Sequence, residues 1–325
     1  MLRPAIPVLL LLFASICDAQ SRAGITGRRD TSYTTYHAYQ ADKEKYPQIE
    51  VVPELATSTI RQQKSIPYCQ QQKRVLVLDA FQPTDSSRQH TAIIIIHGGG
   101  WRSGNRTQHY PLAQHLARLG YVCFTPEYRL STEALFPAGV YDIKAAIRWV
   151  RSRAGVYGID TSKIAVLGFS AGGELAAFMG TTGNMPLFEG STCNTSFPSH
   201  VNAVIDIDGT LSFVHPDAHE GDDSRHISAA TYWFGYPRID KEKLWEAASP
   251  LSYAGRQTPP TLFINSSVPW MHAGREEYRN RLEEYKIYTE VKEFPEAPHS
   301  FCLYHPWFGP TVTSIDLFLK KVFPR

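Results

Sequence analysis

The chain predicts an α/β fold: a mostly parallel central sheet flanked by helices. Three observations carry that prediction. From Lys73 onward, short aliphatic and β-branched runs alternate with segments of helical apolar spacing, the pattern of parallel strands joined by helical crossovers. The run Thr91-Ala92-Ile93-Ile94-Ile95-Ile96 is apolar throughout, as a strand covered on both faces must be. The run Lys163-Ile164-Ala165-Val166-Leu167 enters Gly168-Phe169-Ser170-Ala171-Gly172-Gly173, a small-residue turn that opens a helix through Ala177.

Taken in order, the first residues carry the pattern expected of an export signal. Arg3 supplies a positive start, Pro7 to Phe13 an apolar stretch too short to span a bilayer, and Cys17-Asp18-Ala19 a small-residue cleavage site. Residues 1–19 are therefore expected to be a cleaved signal peptide, giving a secreted or periplasmic protein without stable membrane insertion. Residues 20–65 are polar and aperiodic, and read as an extended N-terminal arm; residues 66–325 read as one catalytic domain. Strands are expected at Val75 to Leu78, Thr91 to Ile96, Tyr121 to Phe124, Val201 to Ile207, Thr261 to Asn265 and Glu290 to Phe294. Helices are expected at Tyr110 to Leu119, Tyr141 to Arg153 and Val312 to Lys321. Segments 185–200 and 210–250 are expected to roof the C-terminal edge of the sheet.

Composition narrows the function classes. A formal net charge of +2 gives no electrostatic case for nucleic acid. No paired Cys/His spacing suggests a metal, and no cofactor is called for. Export leaves Cys69, Cys123, Cys193 and Cys302 in an oxidising compartment. Cys123 sits inside an expected strand and reads as a small core residue; Cys193 and Cys69 are both open as partners for Cys302, and the sequence does not choose the pairing. The oligomeric state is open.

Chemistry concentrates at three motifs. G-x-S-x-G between strand and helix is a sharp elbow that lifts Ser170 Oγ above the sheet edge, as a nucleophile requires. His97-Gly98-Gly99-Gly100-Trp101 closes the isoleucine strand, where glycine backbone approaches a reacting oxygen unobstructed. Gly99 and Gly100, with Ala171, are the candidate oxyanion donors. His299, in Ala297-Pro298-His299 after the last strand, is the candidate general base, with the order Ser, acid, His. The acid is expected on a loop after a later strand, yet Asn265-Ser266-Ser267-Val268-Pro269 holds no carboxylate. Two candidates remain: Asp208, ending the strand that also carries Asp206 on the same face, and Glu276, at the start of the following helix. Asp208 is preferred.

From about residue 70 to the end, the chain resembles an α/β-hydrolase-fold carboxylesterase. The resemblance rests on His97-Gly98-Gly99-Gly100-Trp101, Glu127-Tyr128-Arg129-Leu130, Phe136-Pro137-Ala138 with Asp142, the Ser170 elbow and His299, in that order. More narrowly, Asp206-Ile207-Asp208-Gly209, His215-Pro216, Phe263-Ile264-Asn265-Ser266-Ser267 and His272-Ala273-Gly274-Arg275 resemble exported bacterial polysaccharide esterases acting on acetyl-xylan or pectin. The resemblance implies a serine esterase that removes acetyl or methyl groups from a plant cell-wall glycan through an acyl-enzyme.

A glycan cleft is expected to be aromatic-rimmed, with Trp101, Tyr232, Trp233, Trp270, Tyr304 and Trp307 as candidates. Arg102, Arg106 and Arg275 would favour an acidic polymer if they cluster there. The substrate-binding candidates are Trp101, Trp270 and Arg275. Two other readings stay open: a small-molecule or lipid carboxylesterase with an apolar lid, and an inactive glycan-binding protein on a hydrolase scaffold. The charged content of 210–250 argues against the lid.

Overall fold

The computed structural model describes residues 24–324, apart from 57, 86–88 and 184. The signal-peptide expectation for 1–19 lies outside the described residues. Among the described residues eight strands form one sheet: β1 (Ile60–Gln71), β2 (Arg74–Pro83), β3 (His90–Ile96), β4 (Val122–Pro126), β5 (Ile159–Phe169), β6 (Ala203–Ile207), β7 (Thr261–Asn265) and β8 (Thr289–Glu293). Their spatial order is β1-β2-β4-β3-β5-β6-β7-β8. The pairings β1–β2 and β2–β4 are antiparallel, and every pairing from β4 to β8 is parallel.

Side-chain alternation divides the core into two layers. Ile94, Ile96, Val166, Val204 and Phe263 face one layer, with helices α3 (Ala138–Ser152), α4 (Ala171–Thr181) and α5 (Arg275–Glu284). Ile93, Ile95, Leu167, Ile205 and Ile264 face the other, with α2 (Tyr110–Arg118) and α6 (Phe308–Val322). All four isoleucines of β3 are buried, each contributing roughly 1.5–3 kcal/mol of apolar burial. This double coverage holds the C-terminal ends of β3 and β5 rigidly side by side, with Ile96 in register with Gly168.

The arm is more structured than its composition suggests. Helix α1 (Thr35–Asp42) is capped by Thr34 and buries only Ala38. Glu50–Val51 pairs antiparallel with Tyr304–His305 just beyond His299, and the Tyr33 N–H donates to Ser103 Oγ at 2.9 Å beside the glycine loop. The arm thus braces both loops that flank the serine. Its last residues already belong to β1, an edge strand whose polar face hid it in the sequence.

One open point is resolved and one expectation is corrected. Cys302 is buried and unpaired; the disulfide joins Cys69 to Cys193. The 185–200 insert is not part of the roof. Glu189 pairs with the buried Lys144 and with Arg148 on α3, and Cys193 ties the insert to β1, so it closes the antiparallel side of the sheet.

Candidate active site

The elbow is built by close backbone approach. A Cβ on Gly168 would lie 1.8 Å from the Gly172 carbonyl oxygen, and one on Gly172 would lie 2.2 Å from the Ile96 oxygen. Glycine at these positions lets β5 turn directly into α4 against the end of β3. Ser170 itself adopts φ 56°, a strained value for a non-glycine residue, with its N–H donating to Ile207 O at 2.8 Å.

His299 reaches Ser170 from the loop after β8. Its Nε2 lies 2.9 Å from Ser170 Oγ and its Nδ1 lies 3.0 Å from Asp208 Oδ2. The geometry fits the tautomer in which Nδ1–H donates to the carboxylate and Nε2 accepts the serine proton. The imidazole leans on Phe169, with ring centroids 4.8 Å apart, so the elbow also sets its orientation. Ser267 donates through both N–H and Oγ to the Ala297 carbonyl, fixing the histidine loop to the end of β7.

Asp208 stands one residue beyond β6 at φ 50°, where strand alternation no longer governs direction. The same-face expectation for Asp206 therefore fails: Asp206 lies beneath Gly173 of α4 and accepts the Gly209 N–H at 2.8 Å, while Asp208 turns to His299. The carboxylate-free loop after β7 has a use, since it supplies donors to Asp208. The Ser266 N–H donates to Oδ1 at 2.8 Å and Asn265 Nδ2 does so at 3.4 Å. His272 Nε2 also lies 3.3 Å from Oδ1, a close approach without hydrogen-bond alignment. Burial alone would push this carboxyl up, but His272, His299 and the Ser266 side chain outweigh it and hold it at about 2. Glu276 is remote from this chain of contacts: half exposed, it pairs with Arg275 and Arg279.

On the other side of the serine, Gly100 and Ala171 line the same cleft as Ser170 and His299. The Ala171 N–H, at the first helical position, has no acceptor within its helix. Gly99 lies one residue behind the lining, its carbonyl accepting the N–H groups of Arg102 and Ser103. The Gly98 N–H is taken by Gln108 Oε1 at 2.8 Å, which leaves the donor role to its neighbours. His97 is structural. Burial pushes its imidazole down to about 3, and it stacks on Tyr128.

The cleft has a volume of about 520 Å³. Its floor is the elbow and its walls are Trp101, Trp270 and Met271; the roof comes from Thr210 and the 219–230 stretch, with His219, Glu220, Asp222, Arg225 and His226. The expected aromatic rim is reduced to two tryptophans. Trp101 is wall rather than platform, because its ring stacks on Trp233 at 4.9 Å and its Nε1–H donates to Glu174 Oε2. Trp270 stacks on His219. Trp233 and Tyr304 are buried in the core, Tyr232 covers Arg102 and Trp307 packs on Tyr46. The substrate role expected of Arg275 is corrected: its guanidinium is held by Asn265, Glu276 and Glu293, outside the cleft. Arg106 is likewise engaged, by Asp79 and Glu127.

Sequence reasoning did not single out Thr210, Glu220 or His219 as site residues. The available signal was the density of ionisable side chains between His215 and His226, in a segment already expected to form the roof.

Known proteins match this architecture. The esterase LipC of Mycobacterium tuberculosis is 31% identical over 254 residues, 76% of this chain and 62% of its own length. The probable carboxylic ester hydrolase LipM of the same organism is 28% identical, over 76% of this chain and 58% of its own length. This chain therefore spans about three fifths of the length of these curated relatives. Among solved structures, a truncated carbohydrate esterase from gut microbiota superposes with a TM-score of 0.69 at 26% identity, covering 83% of this chain and 99% of that one. Butyrate-bound esterase 2 of Thermogutta terrifontis gives a TM-score of 0.65 at 25% identity, over 82% of this chain and 97% of that one. The BD-FAE family model matches residues 78–268, from β2 to the loop after β7 and more than half of the chain. The chain belongs to the BD-FAE family, on the α/β-hydrolase fold.

Proposed function

We propose that this protein is an exported serine carboxylesterase that removes small acyl groups, acetyl above all, from plant cell-wall polysaccharide. The observation that carries the reading is the unbroken chain Ser170–His299–Asp208, opening on a cleft lined by Gly100 and Ala171. His299 Nε2 takes the Ser170 proton as Oγ attacks the ester carbonyl, and Asp208 stabilises the resulting imidazolium. The N–H groups of Gly100 and Ala171, with Gly99 setting the loop, hold the oxyanion; each donor contributes roughly 3 kcal/mol to the transition state. The imidazolium then protonates the leaving alcohol, and water, activated by the same nitrogen, releases the acid from Ser170.

Substrate and location rest on softer support. A roof of His219, Glu220, Asp222, Arg225 and His226 suits a hydroxyl-rich alcohol better than a lipid chain. The gut-microbiota neighbour is itself described as a carbohydrate esterase. With Arg106 and Arg275 committed elsewhere and Arg225 of the roof interacting with Asp222, an acetylated neutral glycan fits better than methyl-esterified pectin. The Cys69–Cys193 disulfide agrees with an oxidising compartment and so with export. A small-ester hydrolase is the second reading, favoured by the modest cleft volume of about 520 Å³ and by the 26% identical ethyl acetate hydrolase of Pseudomonas putida. The inactive-scaffold reading loses its motive, because a carboxylate does stand on His299.

The test is product release from acetylated xylan and methyl-esterified pectin by wild type and Ser170→Ala. Acetate from xylan, reduced at least about 10⁴-fold in the variant, is expected. Activity on short esters with silence on both polymers would select the small-ester reading.

A further inference from the structure

The roof carries a carboxyl that the triad mechanism does not use. Glu220 and Thr210 line the cleft, and neither carboxyl oxygen of Glu220 makes an aligned hydrogen bond; the Thr210 hydroxyl and the backbone N–H groups of His219 and Glu220 stand near it and only partly offset its burial. Buried oxygens without aligned hydrogen bonds are few in a native structure, and three gathered in the wall of an active-site cleft leave capacity for a partner that arrives from outside. Glu174, whose Oε2 accepts from Trp101, lies close enough to repel Glu220 electrostatically, and neither offers the other a donor. His299 lines the same cleft, and its charge favours the Glu220 carboxylate.

That neighbourhood identifies the side of the substrate involved. His299 Nε2 hands its proton to the leaving alcohol, so groups facing the imidazole across the cleft face the alcohol and not the acyl chain. We propose that Glu220 determines specificity on the alcohol side of the ester, pairing through its carboxyl with a hydroxyl carried next to the ester oxygen. Thr210 Oγ1 shares that hydroxyl. The inference rests on the serine-esterase reading and deepens it: the preferred substrate is an ester of a vicinal diol, as in a sugar acetylated beside a free hydroxyl. Apolar burial pushes the Glu220 carboxyl up to about 7, so near neutrality it can both accept from a hydroxyl and donate to one.

Three esters of matched size separate the possibilities: ethyl acetate, 2-hydroxyethyl acetate, which adds one hydroxyl on the alcohol side, and ethyl glycolate, which adds it on the acyl side. The quantity measured is each variant's kcat/KM ratio of hydroxylated to plain ester, which is independent of the fraction folded. Wild type is expected to favour 2-hydroxyethyl acetate over ethyl acetate at least about tenfold, as a hydrogen bond to a buried polar group allows. Glu220→Met, equal in bulk without hydrogen-bonding groups, is expected to erase that preference, and Glu220→Gln to retain most of it. A preference that survives Glu220→Met, a ratio that moves for ethyl glycolate instead, or a wild type indifferent to the alcohol hydroxyl would each overturn the proposal. Loss of the polysaccharide activity alone would not, because the preference between the two small acetates stands apart from it. If wild type hydrolyses none of the three, this inference fails, and the esterase reading fails with it only if acetylated xylan is left untouched as well.

Discussion

Two buried carboxyls act on the same histidine and end in opposite states. Asp208 stands at the sheet edge, where the Ser266 N–H, Asn265 and His299 all donate to it, and it is held at about 2. Glu220 hangs in the roof without an aligned donor and is pushed up to about 7. Burial opposes the charge in both. The difference is the charge and alignment of the donors: His272, His299 and Ser266 stand on the Asp208 carboxylate, whereas Thr210 and the backbone N–H groups of His219 and Glu220 approach Glu220 without aligned hydrogen bonds. Asp208 stays charged near neutrality, whereas Glu220 lies close to its midpoint there.

The largest expected effect sharpens the first half of that contrast. Asp208→Asn keeps size and shape but removes the charge that holds the His299 Nδ1 proton in place. A fall in kcat on the order of 10⁴ is expected, with the folded near-UV circular dichroism spectrum retained. A fall of less than about tenfold would mean that Asp208 is a structural acceptor for Ser266 and not the acid of the triad.

How much of this could be read from the residues alone follows the same divide. Ser170 and His299 were legible because their placement is local: a glycine-flanked turn after a strand, and a histidine just past the last one. The strand Thr261–Asn265 was legible for the same reason, being a continuous apolar run. Asp208 was only half legible, because its partners come from β7 and from the loop after β8, and a one-residue departure from strand geometry redirects it. Strand β1 escaped notice because it is an edge strand with Arg61, Gln62, Gln63, Lys64 and Ser65 in succession. Helix α1 gave no amphipathic signal, since the arm is held by Tyr33, Tyr39 and the Glu50–Val51 pairing, not by an apolar stripe. Arg275 misled because charge in a sequence carries no direction, and Glu293 on β8 drew it away from the cleft.

The second prediction tests the other half of the contrast through stability. The folded-state Glu220 carboxyl sits at about 7, against an ordinary glutamate value of 4.5. The folded protein therefore holds a proton that the unfolded chain has already lost between those values. Stability falls as pH rises through that window and levels off above it, by about 3 kcal/mol in all. Glu220→Gln is neutral at every pH and escapes this loss. Its melting temperature is expected to exceed that of wild type by several degrees at pH 8, with the gap closing by pH 4. Asp208 works in the reverse sense: its stabilisation is present above the usual aspartate range and disappears as pH falls toward 2. A Glu220→Gln melting curve that parallels wild type from pH 4 to 8 would show Glu220 to be solvated like a surface carboxylate.

The smallest effect is expected at the carboxylate that sequence reasoning kept as the alternative acid. Glu276 opens α5 with its side chain half exposed, between the guanidinium groups of Arg275 and Arg279. Exposed pairs of this kind contribute roughly 0–1 kcal/mol, because water screens the attraction and holding the side chains in place costs entropy. Glu276→Gln also removes a favourable charge from a helix N-terminus, worth a few tenths of a kcal/mol more. Neither term touches Ser170 or His299, so kcat/KM on 2-hydroxyethyl acetate is expected to stay within about twofold of wild type. The comparison has force because Glu276→Gln and Asp208→Asn are the same chemical change, acid to amide. If the amide at 276 lowered kcat as far as the amide at 208, the histidine would be answering to a charge some distance off, and a triad defined by hydrogen-bond contact would be the wrong account of this site.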